Sequence, residues 1–266
     1  MKLRNFNIGN SETLTLMGGM NVLESRDLAM HVAEKFKESC EKYNINYIFK
    51  GSFDKANRSS INSFRGPGLE EGLKILQEVS NSFDVPVITD IHEADQAKPV
   101  SEVCEVVQIP AFLARQTDLL VAAAKSGKIV NIKKGQFMDS KSMSYAVDKV
   151  LQSGNNNVLI TERGSMFGYQ DLIVDFRNIP KMKVYAPVIL DVTHSLQKPN
   201  QESGVTGGQP DLIETIAKAG IVTGADGIFI ETHSAPKSAK SDGKNMLPIE
   251  DLDELISKLV RIKSSI

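Results

Sequence analysis

A single (β/α)8 TIM barrel is the fold this sequence predicts, and three observations point to it. Eight short apolar runs alternate with longer amphipathic stretches from one end of the chain to the other. The 266 residues contain no Pro/Gly-rich linker, composition break or repeat of solenoid period, so the alternation reads as one unit over residues 1–266. The rival architecture, a doubly wound open sheet, would favour a Gly-x-Gly-x-x-Gly turn after its first strand, which Met17-Gly-Gly-Met-Asn21 does not provide.

Taken in order, residues 1–12, with Ile8-Gly-Asn-Ser11 near their end, read as a small hairpin that plugs the N-terminal end of the barrel. The strand runs are residues 14–17, 47–49, 85–89, 106–109, 128–132, 157–160, 187–190 and 227–230. The first helix is expected over 25–36, with Ser25 at its N-cap and Asp27 in its first turn. The same 3.6-residue period predicts helices over 69–80, 115–126, 140–152 and 211–219, and 251–263 closes the chain. The pattern is weakest over 170–176, which is also expected to be helical.

Composition narrows the function. With 41% hydrophobic and 24% charged residues the chain reads as an ordinary globular protein able to bury a large core. A net charge of −2 argues against a general nucleic-acid binder. Cys40 and Cys104 stand far apart in apolar-periodic surroundings and are expected to be buried free thiols. The start, MKLRNFNIGN, has no apolar signal core and no run approaches a membrane span, so a cytoplasmic protein with no membrane partner is expected.

Barrel active sites are built from the loops that follow the strands, so what stands there is informative. After the second run, residues 49–68 carry Lys50, Lys55, Arg58 and Arg65 against one acid, Asp54, with Ser52, Ser59, Ser60 and Ser63 interleaved. Cations and hydroxyls gathered in one loop suit phosphate oxygens, since they supply charge and directed donors together. In a barrel, Lys50, Lys55, Arg58, Lys133 and Arg163 converge on one mouth. Such a cluster repels itself unless anions bind, and two phosphorylated substrates would be a natural load. Asn21, His194, Glu231 and Asp242 follow the first, seventh and eighth runs. By residue type alone a divalent-metal triad of His, Glu and Asp stays open there, but the neutral Asn21 amide is a weak fourth ligand and disfavours it.

Longer motifs carry a resemblance. Gly19-Met-Asn-Val-Leu-Glu-Ser25, Phe53-Asp-Lys-Ala-Asn-Arg-Ser-Ser60, Ser63-Phe-Arg-Gly-Pro-Gly68, Thr89-Asp-Ile-His-Glu93 and Gln108-Ile-Pro-Ala-Phe-Leu113 cover the first half. Arg115-Gln-Thr-Asp118, Asn131-Ile-Lys-Lys-Gly-Gln-Phe137, Glu162-Arg-Gly164 with Phe167-Gly-Tyr169, and Asp191-Val-Thr-His194 continue it. Together they resemble the 3-deoxy-D-manno-octulosonate 8-phosphate synthases nearly end to end. Those enzymes condense phosphoenolpyruvate with D-arabinose 5-phosphate on a (β/α)8 barrel that is usually a homotetramer.

The resemblance implies that Lys50, Lys55, Gln108, Lys133, Arg163 and His194 surround phosphoenolpyruvate. It implies that Asn57, Arg58, Ser59 and Asp90 hold arabinose 5-phosphate, with Arg115 reaching its phosphate from a neighbouring subunit. Asn21, Lys55, Asp90, His194, Glu231 and Asp242 are the candidates for the catalytic work at the aldehyde, the water and the hydroxyls. Members are metal-dependent with Cys in the first-strand motif or metal-independent with Asn there, so Asn21 implies no metal and no other cofactor. Two features depart from that subtype: Ser241 stands where many metal-independent members carry Cys, and Lys134-Gly-Gln-Phe137 looks like the metal-dependent branch.

Two rival functions remain. One is a related phosphoenolpyruvate-condensing synthase that uses erythrose 4-phosphate or an N-acetylmannosamine. The other is a non-catalytic phosphosugar-binding barrel. The erythrose 4-phosphate branch resembles a Lys-Pro-Arg-Thr pattern where this chain has Lys55-Ala-Asn-Arg-Ser-Ser60. Residues 195–209 and 233–248 are Gly/Ser-rich and long enough to be lids.

Overall fold

In the computed structural model, which describes residues 1–9, 13–198 and 207–266, eight parallel strands close on themselves. They are β1 (Thr15–Val22), β2 (Asn46–Ser52), β3 (Val87–Asp90), β4 (Val106–Ile109), β5 (Ile129–Lys133), β6 (Val158–Glu162), β7 (Val188–Asp191) and β8 (Gly227–His233). Each strand pairs with the next, and β8 pairs with both β7 and β1, so the barrel has no free edge. Every apolar run read from the sequence lies within or against one of these strands.

The helices are α1 (Arg26–Lys42), α2 (Leu69–Phe83), α3 (Ala97–Val103), α4 (Thr117–Lys125), α5 (Met143–Gln152), α6 (Asn178–Met182), α7 (Ile213–Val222) and α8 (Leu252–Lys263). Ser25 caps α1 as expected, its hydroxyl accepting from the Leu28 N–H at 3.2 Å. Two differences concern the weaker helices. α3 has no counterpart in the sequence reading because Pro99 falls inside it; the proline sits in the first turn, where its missing N–H is no loss. Residues 170–176 are not helical. Leu172–Ile173 instead pairs antiparallel with Ser165–Met166, and the helix of that unit shrinks to α6.

Strand period decides what faces the barrel axis. One residue per strand, Met17, Ile48, Ile88, Val106, Ile129, Leu159, Ile189 and Phe229, forms a buried apolar ring. The N-terminal hairpin, with arms Lys2–Leu3 and Phe6–Asn7, packs Leu3 and Ile8 into that ring. Arg4 fastens it from below, reaching Asp84 at 3.0 Å, Ser80 at 2.7 Å and Glu105. The expected plug is therefore present as far as Gly9; residues 10–12 lie outside the described residues. A larger apolar shell, containing Phe36 stacked on Tyr47 at 5.4 Å, fills the space between strands and helices. Cys40 and Cys104 are buried free thiols in it, and burial pushes both up in pKa. No helix among the described residues is long and apolar enough to cross a membrane.

Candidate active site

Two residues beyond the apolar ring, on the same inward parity, stand Lys50, Asp90, Gln108, Asn131, Thr161, Asp191 and Glu231, all buried. On β1 the equivalent position is Gly19, where an added Cβ would stand 2.0 Å from the Lys50 carbonyl oxygen. Just beyond it the β1–β2 register shifts, a bulge that carries Asn21 into the mouth. Lys133 and Arg163 complete this layer from the ends of β5 and β6.

One half of the layer is ionic. Lys50 donates to Glu231 Oε1 at 2.7 Å and to the Asn21 carbonyl at 2.8 Å. Glu231 Oε2 is 3.5 Å from His194 Nε2. The His194 Nδ1 stands 2.8 Å from Asp191 Oδ2; a carboxylate only accepts, so Nδ1 carries the proton. Lys133 pairs with the same Asp191 oxygen and lies 3.6 Å above the Phe229 ring. Asp191 Oδ1 in turn accepts the backbone N–H groups of Thr193 and His194 at 3.0 and 2.8 Å.

These contacts set the charge states. Burial alone would raise the Asp191 and Glu231 carboxyls. His194 with Lys133 overcomes this at Asp191, and His194 with Lys50, Lys55 and Lys133 at Glu231, so both are held below the usual range. Burial likewise raises Asp90, but Lys55, His92 and Lys50 hold it well below normal. Burial lowers Lys133, Arg163 and Lys55, the last to about 8, where Lys50 adds to the effect and Asp90 opposes it. Lys50 goes the other way: burial would lower it, yet Glu231 and Asp90 keep it raised.

Of the sugar-site candidates, Asn57, Arg58 and Ser59 line a cavity of about 1090 Å³ at the mouth, together with Lys55, Arg163 and Asp242. Arg58 is held by the loop after β8, donating to the Ser241 hydroxyl and to the Lys240 carbonyl. Asn21 Nδ2 donates to Ser241 Oγ at 3.0 Å and to Asp242 Oδ2 at 2.7 Å. Asp242 adopts a left-handed backbone, φ 50°, which is strained for a residue with a Cβ and clusters at functional sites. Loop 233–248 thus lies down on the mouth. Of loop 195–209, residues 199–206 lie outside the described residues. Its near end supplies Gln197, which accepts from Arg163 Nη2 at 2.6 Å, while Arg163 Nη1 is buried and has no hydrogen-bond partner among the described residues.

The structure brings most of the expected residues together and changes one expectation about their charges. Lys50, Lys55, Asp90, Gln108, Lys133, Arg163, His194, Glu231, Asn21 and Asp242 are brought together. The expected self-repelling cation cluster is instead interleaved with carboxylates, because Asp191 joins Asp90 and Glu231 among the lysines. Parity with the buried Ile189 could have identified it. Arg115 is exposed, its carbonyl accepts from Lys149 Nζ at 2.8 Å, and it is not among the residues that line this chain's own cavity. Among the described residues no three His, Cys, Asp or Glu side chains stand as a metal-ligand group.

The sequence reading also missed the supports. Lys134 is fully buried, 3.3 Å from Glu162, and donates to the carbonyls of Met138 and Gly164. Glu162 Oε1 accepts the N–H groups of Arg163 and Gly164 at 2.9 and 2.7 Å, which fixes the backbone that carries the Arg163 guanidinium.

Comparison with known proteins places the chain. The 2-dehydro-3-deoxyphosphooctonate aldolase of Pseudoalteromonas translucida is 50% identical over 259 residues, 97% of this chain and 91% of the relative. That of Colwellia psychrerythraea is 49% identical over 97% of this chain and 92% of the relative. The protein of the same name from Koribacter versatilis is 49% identical over 100% of this chain and 96% of the relative. The model of the DAHP synthetase I family matches residues 2–266, and the chain belongs to that family.

Proposed function

We propose that this protein condenses phosphoenolpyruvate with D-arabinose 5-phosphate and water, giving 3-deoxy-D-manno-octulosonate 8-phosphate and inorganic phosphate. The product supplies the inner-core sugar of Gram-negative lipopolysaccharide. The observation that carries this reading is the group of Lys50, Lys133 and Arg163, buried at strand ends around one mouth with the half-buried Lys55 beside them, in a chain whose relatives are named 2-dehydro-3-deoxyphosphooctonate aldolase. Buried cations of this number suit substrates that bring several negative charges.

In this reading Lys50, Lys55, Gln108, Lys133, Arg163 and His194 hold phosphoenolpyruvate, and Asn57, Arg58, Ser59 and Asp90 hold the sugar phosphate. The C3 carbon of phosphoenolpyruvate attacks the aldehyde, positive charge develops at C2, water adds there, and the hemiketal phosphate collapses with C–O cleavage. Glu231 and Asp191, both ionised, stand where developing positive charge is stabilised, and His194 between them can hold or move a proton at Nε2. Lys55, at about 8, is poised to protonate the nascent alkoxide, with Asp90 orienting it at 3.8 Å.

The reaction is read as metal-independent. The Asn21 amide turns its NH2 group, a donor, toward Asp242, and the Lys50 ammonium already neutralises Glu231. A homo-oligomer is supported by the exposed Phe112, Phe137, Phe167 and Tyr169, apolar surface that suits an interface between copies, and a tetramer is the number the resemblance implies. A cytoplasmic location fits phosphorylated substrates.

The deciding experiment follows phosphate release by chelator-stripped protein given phosphoenolpyruvate and arabinose 5-phosphate, with erythrose 4-phosphate as control aldehyde. Full activity with arabinose 5-phosphate alone is expected. Activity that returns only with added divalent metal would overturn the metal-independent reading, and silence with arabinose 5-phosphate would overturn the reaction. Asn21→Cys is expected to make the purified protein retain a divalent cation; an unchanged metal content counts against it.

A further inference from the structure

Opposite the ionic half of the mouth, five consecutive strands carry a row of buried neutral and acidic groups joined by hydrogen bonds. Ser52 Oγ donates to Asp90 Oδ1 at 2.5 Å, and Gln108 Nε2 stands 3.5 Å from that same oxygen. Gln108 Oε1 accepts from Asn131 Nδ2 at 3.0 Å, and Asn131 Oδ1 accepts from Thr161 Oγ1 at 2.7 Å. The strand register places Asp90 opposite Gln108 and Gln108 opposite Asn131. The reaction described above uses Asp90 and Gln108 but assigns nothing to Asn131 or Thr161.

The row has a direction. A carboxamide is nearly symmetric in shape, so sterics do not decide which end of Gln108 faces Asp90. Charge does, because the ionised Asp90 only accepts and draws the NH2 end toward itself. The Gln108 carbonyl then needs a donor, which Asn131 supplies, and the Asn131 carbonyl takes the Thr161 hydroxyl proton. Turning either amide over would set acceptor against acceptor in a buried site, where an unsatisfied group is costly. At 3.5 Å the Gln108–Asp90 contact is long for a hydrogen bond, so the Gln108 N–H groups keep their capacity for a ligand.

We propose that Asn131 and Thr161 are positioning residues that lock the Gln108 amide with its NH2 group toward phosphoenolpyruvate and its carbonyl away from it. This rests on the reading that Gln108 contacts that substrate. An anion meets two donors when the lock holds and a repelling carbonyl when it fails. Polar side chains that merely filled the barrel interior would affect folding and leave anion affinity alone.

The test is a double-mutant cycle read by calorimetric titration of phosphoenolpyruvate and, in parallel, by KM and kcat for phosphate release. Asn131→Leu should raise the Kd and KM for phosphoenolpyruvate by roughly tenfold, with kcat and the KM for the sugar phosphate within about twofold. Thr161→Val, which keeps the volume, should raise them by about threefold, since it acts through two amides; it serves alone if Asn131→Leu does not fold. In a Gln108→Ala background both substitutions should leave the Kd unchanged. Unchanged affinity in the single variants, or the same fold-increase with and without Gln108, would overturn the proposal. Wild-type protein that binds phosphoenolpyruvate but releases no phosphate overturns the reaction assigned above, and the binding cycle then decides the positioning role by itself. Wild-type protein that does not bind phosphoenolpyruvate overturns both.

Discussion

On β8, Phe229 packs among aliphatic side chains and the hairpin's Leu3 and Ile8, whereas Glu231, two residues along, stands between Lys50 and His194. The same step recurs from Ile48 to Lys50, Ile88 to Asp90 and Ile189 to Asp191. One layer of the barrel is therefore held by apolar packing and the next by charge and hydrogen bonds, with no intervening spacer. The lesson is a division of labour along each strand: the lower layer stabilises the fold, and the upper layer holds groups whose burial costs stability and is offset by pairing.

The most severe way to break this division is at Lys50, which belongs to both accounts. Lys50→Ala removes a proposed substrate cation and leaves Glu231 buried without its partner, a loss of about 3–5 kcal/mol in stability in addition to the activity. Chemical denaturation together with phosphate release would register both losses; wild-type stability in this variant would show that Glu231 does not depend on it. Arg163→Ala separates the two. Its Nη1 has no partner among the described residues, so kcat/KM should fall by about 10²–10³ with little change in Tm. Leu159→Ala is the reciprocal case: a stability loss of roughly 3 kcal/mol, with KM for both substrates close to wild type. A large KM change there would mean that the two layers are mechanically coupled.

The smallest expected effect is one of pH. Lys55 has an ammonium pKa lowered to about 8 by burial and by Lys50, while Asp90, Glu231 and Asp242 also face it and pull it upward. A bound dianion stabilises the charged form, so the complex holds more protons than the free protein once the pH passes about 8. Affinity for phosphoenolpyruvate must then fall as pH rises, by at most about tenfold per pH unit. Titrations in buffers of different ionisation enthalpy should find proton uptake at pH 8.5, and Lys55→Arg should abolish it. Proton release would contradict the sign.

How much of this was legible in the sequence follows from the same layering. Barrel strands buried on both faces read as continuous apolar runs, so all eight could be located, and the polar residues just past each run marked the mouth. Parity was harder. Asp191 lies in a motif that was read for His194, and only its two-residue offset from Ile189 marks it as inward-facing. Asn131 and Thr161 are ordinary strand residues until barrel closure sets Asn131 beside Gln108 and brings the Thr161 hydroxyl onto the Asn131 amide. Pro99 hid α3, and the stretch over 170–176 looked helical because its strand pairing with Ser165–Met166 lies across a turn that periodicity does not register. Lys134 could not be distinguished from Lys133, although one props the loop after β6 and the other pairs with Asp191 inside the barrel.

The hairpin has a consequence for the order of assembly. Its docking site is a ring to which every strand contributes, so the segment that precedes all the strands in the chain has nowhere to settle until the last of them, with Phe229, is in place. In the folded protein Leu3 and Ile8 share a cluster with Phe229, so the hairpin's packing joins distant parts of the chain. Contacts of that kind form late and slowly. Residues 1–9 should thus dock in the final phase of refolding, as a seal on a barrel that has already closed.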